Sequence, residues 1–263
     1  MRKLLLVIVS LLVIVIVAVA VRTIGARDET DAVSTKDAGK LVGTGTDSGN
    51  SIDAGLRPAA GTYSYTGSGT ESVSALGGSM HEFPAQIATV VKLDAKHDCG
   101  WSLNVVYVKQ HIEERNYCTT DTGVVDNGFE RRIEFFNQTE VKAYTCGDDA
   151  QRLVVDAAPG STTTWVCKQG DKATSAYTAT YVGPERVSVG GADTDVAHVK
   201  IVSRQTGDTR GGDVQEIWYL PSGLPAKFNG TLKVTTASVL GDTEFEEHYE
   251  YALASLSPVE DDA

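Results

Sequence analysis

Residues 244–253 read Glu-Phe-Glu-Glu-His-Tyr-Glu-Tyr-Ala-Leu, and their apolar and polar side chains alternate. Successive side chains of a β-strand point to opposite faces of the sheet, so alternation of this kind is typical of a strand with one buried face. The apolar face carries Phe245, Tyr249, Tyr251 and Leu253. Glu247 interrupts that face. The stretch therefore predicts a half-buried strand with a single polar intrusion.

The same alternation begins at Gly61, where Tyr63 and Tyr65 alternate with Ser and Thr, and it recurs to the C-terminal end of the chain. Glycine- and proline-containing turns separate the runs, and none shows three helical turns of apolar spacing. Further strands are predicted over residues 87–93, 103–108, 133–136, 141–146, 173–189, 197–203, 214–220 and 224–234. We therefore predict that residues 61–257 form an all-β domain, a single large antiparallel sheet curved into a half-barrel, a barrel or a sandwich.

The first 22 residues predict a membrane segment. An apolar run over residues 4–21 lies between Arg2-Lys3 and Arg22. As a helix, its 18 residues would span about 27 Å, close to the roughly 30 Å hydrocarbon core of a bilayer. The small residues at 18–20 also fit a cleavage site, so a signal peptide is the alternative to a retained anchor.

Both alternatives carry the rest of the chain across the membrane. The flanking charges favour a cytoplasmic N-terminus. We expect a single-pass protein of the cell membrane with an extracytoplasmic C-terminal domain, or a secreted protein if residues 1–22 are removed. Residues 23–60 are rich in Gly, Ser, Thr and Asp and predict a flexible stalk, and residues 258–263 predict an acidic tail.

Net charge limits the partners. Without Arg2 and Lys3, 21 of the 23 basic residues remain against 35 acidic ones, so the exported part carries a charge near −14. A field of that sign opposes nucleic acids and anionic lipid surfaces. We therefore expect no nucleic-acid partner, and membrane association through the N-terminal helix.

The four cysteines form an even set outside the membrane segment, in a compartment that permits disulfides. They are Cys99, Cys118, Cys146 and Cys167. Each borders a predicted strand, and antiparallel neighbours are close enough for a disulfide. Sequential pairing, Cys99–Cys118 with Cys146–Cys167, is the leading prediction. Nested and crossed pairings remain alternatives.

Motifs for chemistry are missing from the sequence. The five histidines are scattered without a metal-ligand spacing, and there is no nucleophile elbow, P-loop or Cys-x-x-Cys motif. Glu113-Glu114 and Glu246-Glu247 point to opposite strand faces, so neither couplet can act as one acid/base pair. We predict no catalytic residue, no metal site and no cofactor, and expect that the protein is not an enzyme.

The segment Trp218-Tyr-Leu-Pro-Ser-Gly-Leu224-Pro-Ala-Lys-Phe228 predicts a hairpin. It resembles the Trp-x-x-Pro-x-Gly-Leu-Pro-x-basic hairpin of the lipoprotein-carrier (LolA-like) half-barrel group. The order of membrane segment, stalk, Cys-Gly hairpins and this turn also resembles uncharacterised membrane-anchored proteins of Gram-positive bacteria. The resemblance implies a curved sheet that can carry lipid, although the carriers' lipid-attachment cysteine has no counterpart here.

The leading hypothesis is a non-enzymatic module of the cell envelope, tethered to the outer membrane face, that holds an apolar ligand such as a lipid or lipoprotein. Its predicted ligand-binding residues are Trp218, Leu224, Phe228, Tyr63 and Tyr65. The alternatives are a structural or assembly subunit that binds an envelope protein, and an enzyme acting on envelope glycans or lipids through carboxylates not yet located.

Overall fold

The computed structural model describes residues 30–43, 56–237 and 241–259. One α-helix, α1 (Thr35–Val42), precedes a series of β-strands, and a short 3₁₀ turn, Ala75–Gly77, follows the first strand. The strands are β1 (Gly61–Val73), β2 (Ser79–Phe83), β3 (Gln86–Leu93), β4 (Gly100–Val108), β5 (His111–Thr120), β6 (Gly123–Phe135), β7 (Gln138–Cys146), β8 (Gln151–Val154), β9 (Thr162–Gln169), β10 (Ala173–Val189), β11 (Ala192–Gly207), β12 (Thr209–Tyr219), β13 (Pro225–Thr236) and β14 (Thr243–Leu253). The sequence prediction for β10 matches its observed bounds.

The sheet closes on itself. All its strand pairs are antiparallel, and β1 pairs with β14 from Tyr65–Leu253 to Val73–Phe245. This contact joins the two edges, so twelve strands form a closed barrel, with β2 and β8 as short additional strands. The predicted curved antiparallel sheet is confirmed in its barrel form. The half-barrel implied by the carrier resemblance, and the sandwich, are not formed.

The lumen is filled by the inward-facing side chains of the alternating strands. One continuous core contains aromatic rings from nearly every side of the barrel. Its fully or almost fully buried rings are Tyr63, Tyr65, Trp101, Tyr107, Tyr117, Trp165, Tyr177, Tyr219 and Tyr251. Glu247 points into this core and is 0% exposed, as the alternation of residues 244–253 predicts.

The disulfides pair sequentially, Cys99 with Cys118 and Cys146 with Cys167. The leading prediction is therefore confirmed, and the nested and crossed pairings are excluded. Disulfides persist in oxidising compartments, so these two indicate that the barrel is extracytoplasmic.

The segment predicted to be a flexible stalk contains a helix. Ser34 caps α1 by accepting a hydrogen bond from the Asp37 amide, and Ala38 is completely buried. Ala38 and its neighbours pack on the outer face of the barrel, against Ala88 and Val90 of β3 and Val106 of β4. The stalk prediction is thus wrong for residues 30–43, because a few apolar residues one helical turn apart suffice to dock a short capped helix.

The two predicted ends of the chain lie mostly outside the described residues. No helix among the residues that the structure describes is long and apolar enough to cross a membrane, and the predicted membrane segment, residues 1–22, is not among them. In the predicted tail, the Val259 amide donates to the Thr62 carbonyl at 2.7 Å. The tail is therefore tied to β1 where it begins.

Candidate functional site

One end of the barrel, called the mouth here, opens into a cavity of about 620 Å³. The mouth is the end that carries the turns joining β6 to β7, β11 to β12 and β13 to β14. Most of the surface that lines the cavity is apolar, although polar and charged residues are as numerous in the lining as apolar ones. Its apolar side chains are Val73, Leu76, Phe129, Ile133, Phe135, Phe136, Val234 and Phe245, and its polar ones include Arg131, Gln138, Glu140, Lys142, Tyr144, Gln205 and Asp242.

The mouth cavity exists because β7 extends well beyond the short region in which it pairs with β9. β7 pairs with β6 over most of its length, but its pairing with β9 is confined to Thr145–Lys168 and Cys146–Cys167. The inward side chains of residues 138–144 therefore face open space, which the mouth cavity occupies. The Cys146–Cys167 disulfide holds this short seam together.

Two residues at the rim have strained backbones. Leu76 has φ of 52° and Phe136 has φ of 53°, a left-handed conformation that is uncommon for bulky side chains and costs roughly 1–3 kcal/mol. Both side chains line the mouth cavity. Phe136 adopts this conformation because it and Asn137, whose φ is 59°, are the two residues of the β6–β7 turn, and a two-residue hairpin turn of this type needs positive φ at both positions.

Two cations lie side by side in the lining. Arg131 of β6 and Lys142 of β7 are direct cross-strand partners, and both side chains face the mouth cavity. Like charges in this position repel each other. Arg131 donates to Glu113 at 2.6 and 3.0 Å, and Lys142 lies 3.4 Å from Glu140. Each cation is thus held by a neighbouring carboxylate, and both line the same cavity.

Tyr144 supplies a neutral polar group to the same wall. The residue is 5% exposed, and its hydroxyl meets no hydrogen-bond criterion with any described atom. Burial raises the pKa of Tyr144, while the nearby Arg131 and Ser175 lower it. The hydroxyl thus has Ser175 within reach but in poor hydrogen-bond geometry, so this buried donor is only weakly satisfied. A polar group in the mouth cavity could satisfy it.

Behind Arg131 lies a set of ionisable side chains, called the mouth-side cluster here. It comprises Glu71, His81, His111, Glu113, Arg131 and Glu247. The Glu71 carboxylate is 2.7 Å from Nδ1 of His81 and 2.8 Å from Nδ1 of His111. The Glu71–His111 contact has the distance of an ion pair, although its angles fall outside the hydrogen-bond range. The side chains of both histidines and of Glu71 have no exposed surface.

Glu247 is the least satisfied member of the mouth-side cluster. Its nearest cations are Nη2 of Arg131 at 3.8 Å and Nδ1 of His111 at 3.9 Å. Neither carboxylate oxygen makes a hydrogen bond with a described residue. Burial raises the pKa of Glu247 to about 7, although Arg131 and His111 oppose the shift. Glu247 therefore titrates near neutral pH.

The pKa values of Glu71 and His111 are shifted so that both charged forms are favoured, in contrast to Glu247. Burial alone would raise the pKa of Glu71, but His111 and His81 outweigh it and hold that pKa at about 2. Burial also disfavours the charged form of His111, yet Glu71 and Glu247 overcome it and raise the His111 pKa. Glu71 and His111 are therefore a charged pair beside a carboxyl group that can be neutral.

Further from the mouth, a second set is fully paired and is called the deep cluster here: Asp126, Arg152, Gln215 and Tyr219. Arg152 lies on β8 and is 1% exposed. Its guanidinium donates to the Asp126 carboxylate at 2.8 Å, the Tyr219 hydroxyl at 2.6 Å and the Gln215 amide oxygen at 2.9 Å. Arg115 links the two clusters, since it contacts Glu113 at 2.6 Å and Asp126 at 3.8 Å.

The residues predicted from sequence to bind ligand do not line the mouth cavity. Tyr63, Tyr65, Leu224 and Phe228 lie in the core, where the rings of Tyr65 and Phe228 are 5.4 Å apart. The Tyr65 hydroxyl donates to the Pro225 carbonyl at 2.6 Å. These four contribute to packing at the end opposite the mouth.

Trp218 belongs to a different surface. Its cross-strand partners are His198 and Lys227, and its indole donates to the Glu185 carboxylate at 2.7 Å. The ring stacks on His198 at 4.2 Å, and Lys227 lies 5.0 Å above it. Trp218 thus points to the outer face, where its neighbours leave it only 8% exposed, while Phe228 of the same hairpin points inward.

The mouth and its charged clusters were missed from sequence. On β5 the inward residues His111, Glu113 and Arg115 alternate with Ile112, Glu114 and Asn116. Because both faces of this strand carry charge, alternation cannot say which one is buried. The signals in the sequence were the polar residue Glu247 on the apolar face of β14 and the charged residues at period two on β5.

The site has limited means for chemistry. Glu71, Glu113 and Glu247 are buried behind Arg131 and do not line the mouth cavity. Within the described ranges no three His, Cys, Asp or Glu side chains form a group that could hold a metal ion.

The chain was compared with known protein families, curated proteins and solved structures, and it matches none of them.

Proposed function

We propose that the barrel is a non-enzymatic binding module of the cell envelope that holds an apolar ligand with one anionic group in the mouth cavity. The observation that carries the proposal is the composition of the cavity, in which an apolar and largely aromatic lining surrounds two adjacent cations. Small-molecule sites are typically concave, mostly apolar and about 300–1,000 Å³ in volume, with a few polar groups that fix orientation. The mouth cavity, at about 620 Å³, falls in that range.

The apolar lining supports an alkyl or ring system as the main body of the ligand. Phe129, Ile133, Phe135 and Phe245 lie around the same space. Each buried methylene contributes roughly 0.8 kcal/mol when it leaves water. A chain of about ten methylenes could therefore bind firmly, even after the cost of association is subtracted.

The adjacent cations support an anionic group at one end of the ligand. Arg131 and Lys142 are cross-strand partners, and a carboxylate between them would reduce their mutual repulsion. Hydrogen bonds from charged donors to carboxylates are short and contribute roughly 1.5–3 kcal/mol each. The Tyr144 hydroxyl, which makes no hydrogen bond with a described atom, offers a further donor.

The placement of the acidic groups favours binding over catalysis. Acid/base catalysis requires a carboxyl group within hydrogen-bond reach of the substrate. Glu71, Glu113 and Glu247 are separated from the mouth cavity by Arg131 and by the rings around it. The two acids that do line the cavity, Glu140 and Asp242, belong to its exposed rim.

The test uses native mass spectrometry of the full-length protein released from detergent micelles, with palmitate as the probe. Hexadecan-1-ol, which has the same number of carbons but no charge, reports the contribution of the anionic group. We expect a one-to-one palmitate adduct and an affinity for the alcohol that is at least about tenfold weaker, as loss of one charge-assisted hydrogen bond implies.

A matched pair of variants locates the adduct. Gln138→Trp places an indole in the mouth cavity, whereas Thr139→Trp places it on the opposite face of the same exposed strand. We expect Gln138→Trp to abolish the adduct and Thr139→Trp to retain it. Absence of any adduct in the unmodified protein, or equal loss in both variants, would contradict the proposal.

A further inference from the structure

The chain joins the barrel at the mouth end. The Asp31 amide donates to the Gln110 side-chain oxygen at 3.0 Å, and the Asp31 carbonyl accepts from the Lys109 amide at 2.9 Å. Lys109 and Gln110 form the turn between β4 and β5. The Gln110 carbonyl in turn accepts from the Glu134 amide at 2.8 Å, next to the cavity-lining Phe135.

From this point α1 runs away from the mouth. The Val42 carbonyl, at the end of α1, accepts a hydrogen bond from Lys92, which lies near the end of β3. That end of β3 pairs with the beginning of β4, where Leu93 is opposite Trp101. Trp101 belongs to the core at the end opposite the mouth. The N-terminal side of α1 is therefore its mouth side.

The tether between the predicted anchor and this point is short. The path from Arg22, where the predicted membrane segment ends, to Thr30 is eight residues long. Even when fully extended, eight residues reach at most about 29 Å. The 13 residues of β6 span roughly 30 Å along the barrel axis at a rise of about 3.3 Å and a tilt of about 40°. With residues 1–22 retained as an anchor, the mouth can lie no further than about 29 Å from the end of the membrane segment. The opposite end can lie up to one barrel length further away.

We infer that the mouth faces the bilayer in which the chain is anchored, and that its occupant is the acyl chain of a lipid taken from the outer leaflet. This inference rests on the proposed function and on the predicted retention of residues 1–22 as an anchor. It identifies the source of the apolar ligand. Leu76, which is 69% exposed at the rim, would be the first apolar side chain to meet the lipid surface.

Exposed apolar side chains alone do not distinguish the two ends. Leu93 and Leu256, at the end opposite the mouth, are 43% and 45% exposed. Two features distinguish the mouth from the opposite end: the chain joins the barrel there, and the cavity opens there. Both features lie at the same end.

The orientation can be measured with two labels, one at each end of the barrel. Thr139 follows the β6–β7 turn at the mouth, and Asp121 lies in the β5–β6 turn at the other end, and both are exposed. All four native cysteines are in disulfides, so Thr139→Cys and Asp121→Cys each give a single site for a fluorophore. The full-length variants are reconstituted into phosphatidylcholine vesicles in which about one lipid in ten carries a nitroxide on its head group.

We expect quenching of the Thr139 label to be at least about threefold stronger than that of the Asp121 label. Equal quenching, or stronger quenching of the Asp121 label, would overturn the inference. Failure of the protein to stay with the vesicles would also overturn it, because the tether would then be absent. Neither result affects palmitate binding in micelles, so failure of the orientation and failure of the proposed function are distinguishable.

A second variant tests whether the attachment of the chain to the side of the barrel is what turns the mouth towards the bilayer. The triple substitution Asp31→Ala, Gln110→Ala and Ala38→Glu removes the hydrogen bonds of the Gln110 side chain to Asp31 and places a charge in the buried contact of α1 with β3 and β4. The segment that precedes the barrel is thereby released from its side. We expect the difference between the two labels to shrink by half or more, with palmitate binding in micelles unchanged. A difference that persists at full size would contradict the proposed role of this attachment.

Discussion

Arg152 and Arg131 both lie inside the barrel, but their surroundings differ. In the deep cluster, Arg152 meets a carboxylate, a hydroxyl and an amide oxygen at 2.6–2.9 Å. In the mouth-side cluster, Arg131 is held by Glu113, while its second carboxylate, Glu247, remains 3.8 Å away without a hydrogen bond. The deep cluster is a saturated network of the kind that stabilises a unique core. The mouth-side cluster is incompletely paired and lies against a cavity, as sites that bind ligands or protons often are.

The two clusters should differ most in how much their arginine contributes to the free energy of unfolding. Arg152→Met should lower the free energy of unfolding by about 3–5 kcal/mol, because three buried acceptors would lose their donor and Asp126 would keep only Arg115, 3.8 Å away, as a cation. Chemical denaturation measures this loss, and Arg204→Met, at an exposed position of β11, is the control expected to stay within about 0.5 kcal/mol. A loss below about 1 kcal/mol for Arg152→Met would show that the deep cluster does not stabilise the barrel.

The next largest effect concerns pH. Burial raises the pKa of Glu247 from 4.5 to about 7. Between these values the folded protein binds more protons than the unfolded chain, so stability falls as pH rises through this window. The contribution of Glu247 to this fall is on the order of 2–3 kcal/mol between pH 5 and pH 8. His111, whose pKa is also raised, loses stabilisation in the same direction as it deprotonates.

The substitution Glu247→Gln separates the contribution of Glu247 to the pH dependence of stability from that of His111. The substitution removes the ionisable group and keeps its shape, so the variant should be more stable than the unmodified protein at pH 8 and nearly equal to it at pH 5. Glu246→Gln, on the outward face one residue before, should leave the pH dependence unchanged. Denaturation curves at both pH values measure these differences. Parallel pH profiles for Glu247→Gln and the unmodified protein would refute the assignment.

A somewhat smaller effect is expected at Glu71, with the opposite pH sign. His111 and His81 outweigh burial and hold the Glu71 pKa at about 2, so its stabilisation is present above the unfolded value of 4.5 and is lost as pH falls towards 2. Glu71→Gln should cost about 2 kcal/mol at neutral pH, through its contacts with charged or polarised donors. The cost should disappear near pH 2. Glu82→Gln, on the exposed face of β2, is the matched control in an acid titration of stability.

These contrasts also show what could be read from the sequence. Alternation located most strands and identified Glu247 as a polar residue on an apolar face, and the sequential disulfides followed from antiparallel neighbours. Closure of the barrel depends on pairing between β1 and β14, which lie at opposite ends of the domain in sequence. Local patterns cannot report such a contact.

The mouth could not be read from sequence for a related reason. It arises because β7 outruns β9, and the length over which two strands pair is set by the whole barrel. The hairpin at Trp218 showed the same limit, since its large apolar residues were expected on one face. Trp218 instead lies outside among His198, Lys227 and Glu185.

The smallest change in stability is expected for a substitution of Lys142, which should weaken ligand binding at the mouth with little effect on folding. Lys142 faces Arg131 across the strand pair, and its contacts with Thr209 and Thr236 are long, at 3.5 and 3.3 Å. Lys142→Met removes a repulsion and a half-exposed ion pair with Glu140, so unfolding stability should change by no more than about 0.5 kcal/mol. Palmitate binding should weaken by about tenfold, whereas binding of hexadecan-1-ol should be unchanged. Equal weakening for both probes would mean that Lys142 shapes the cavity, and that the anionic group of the ligand does not bind there.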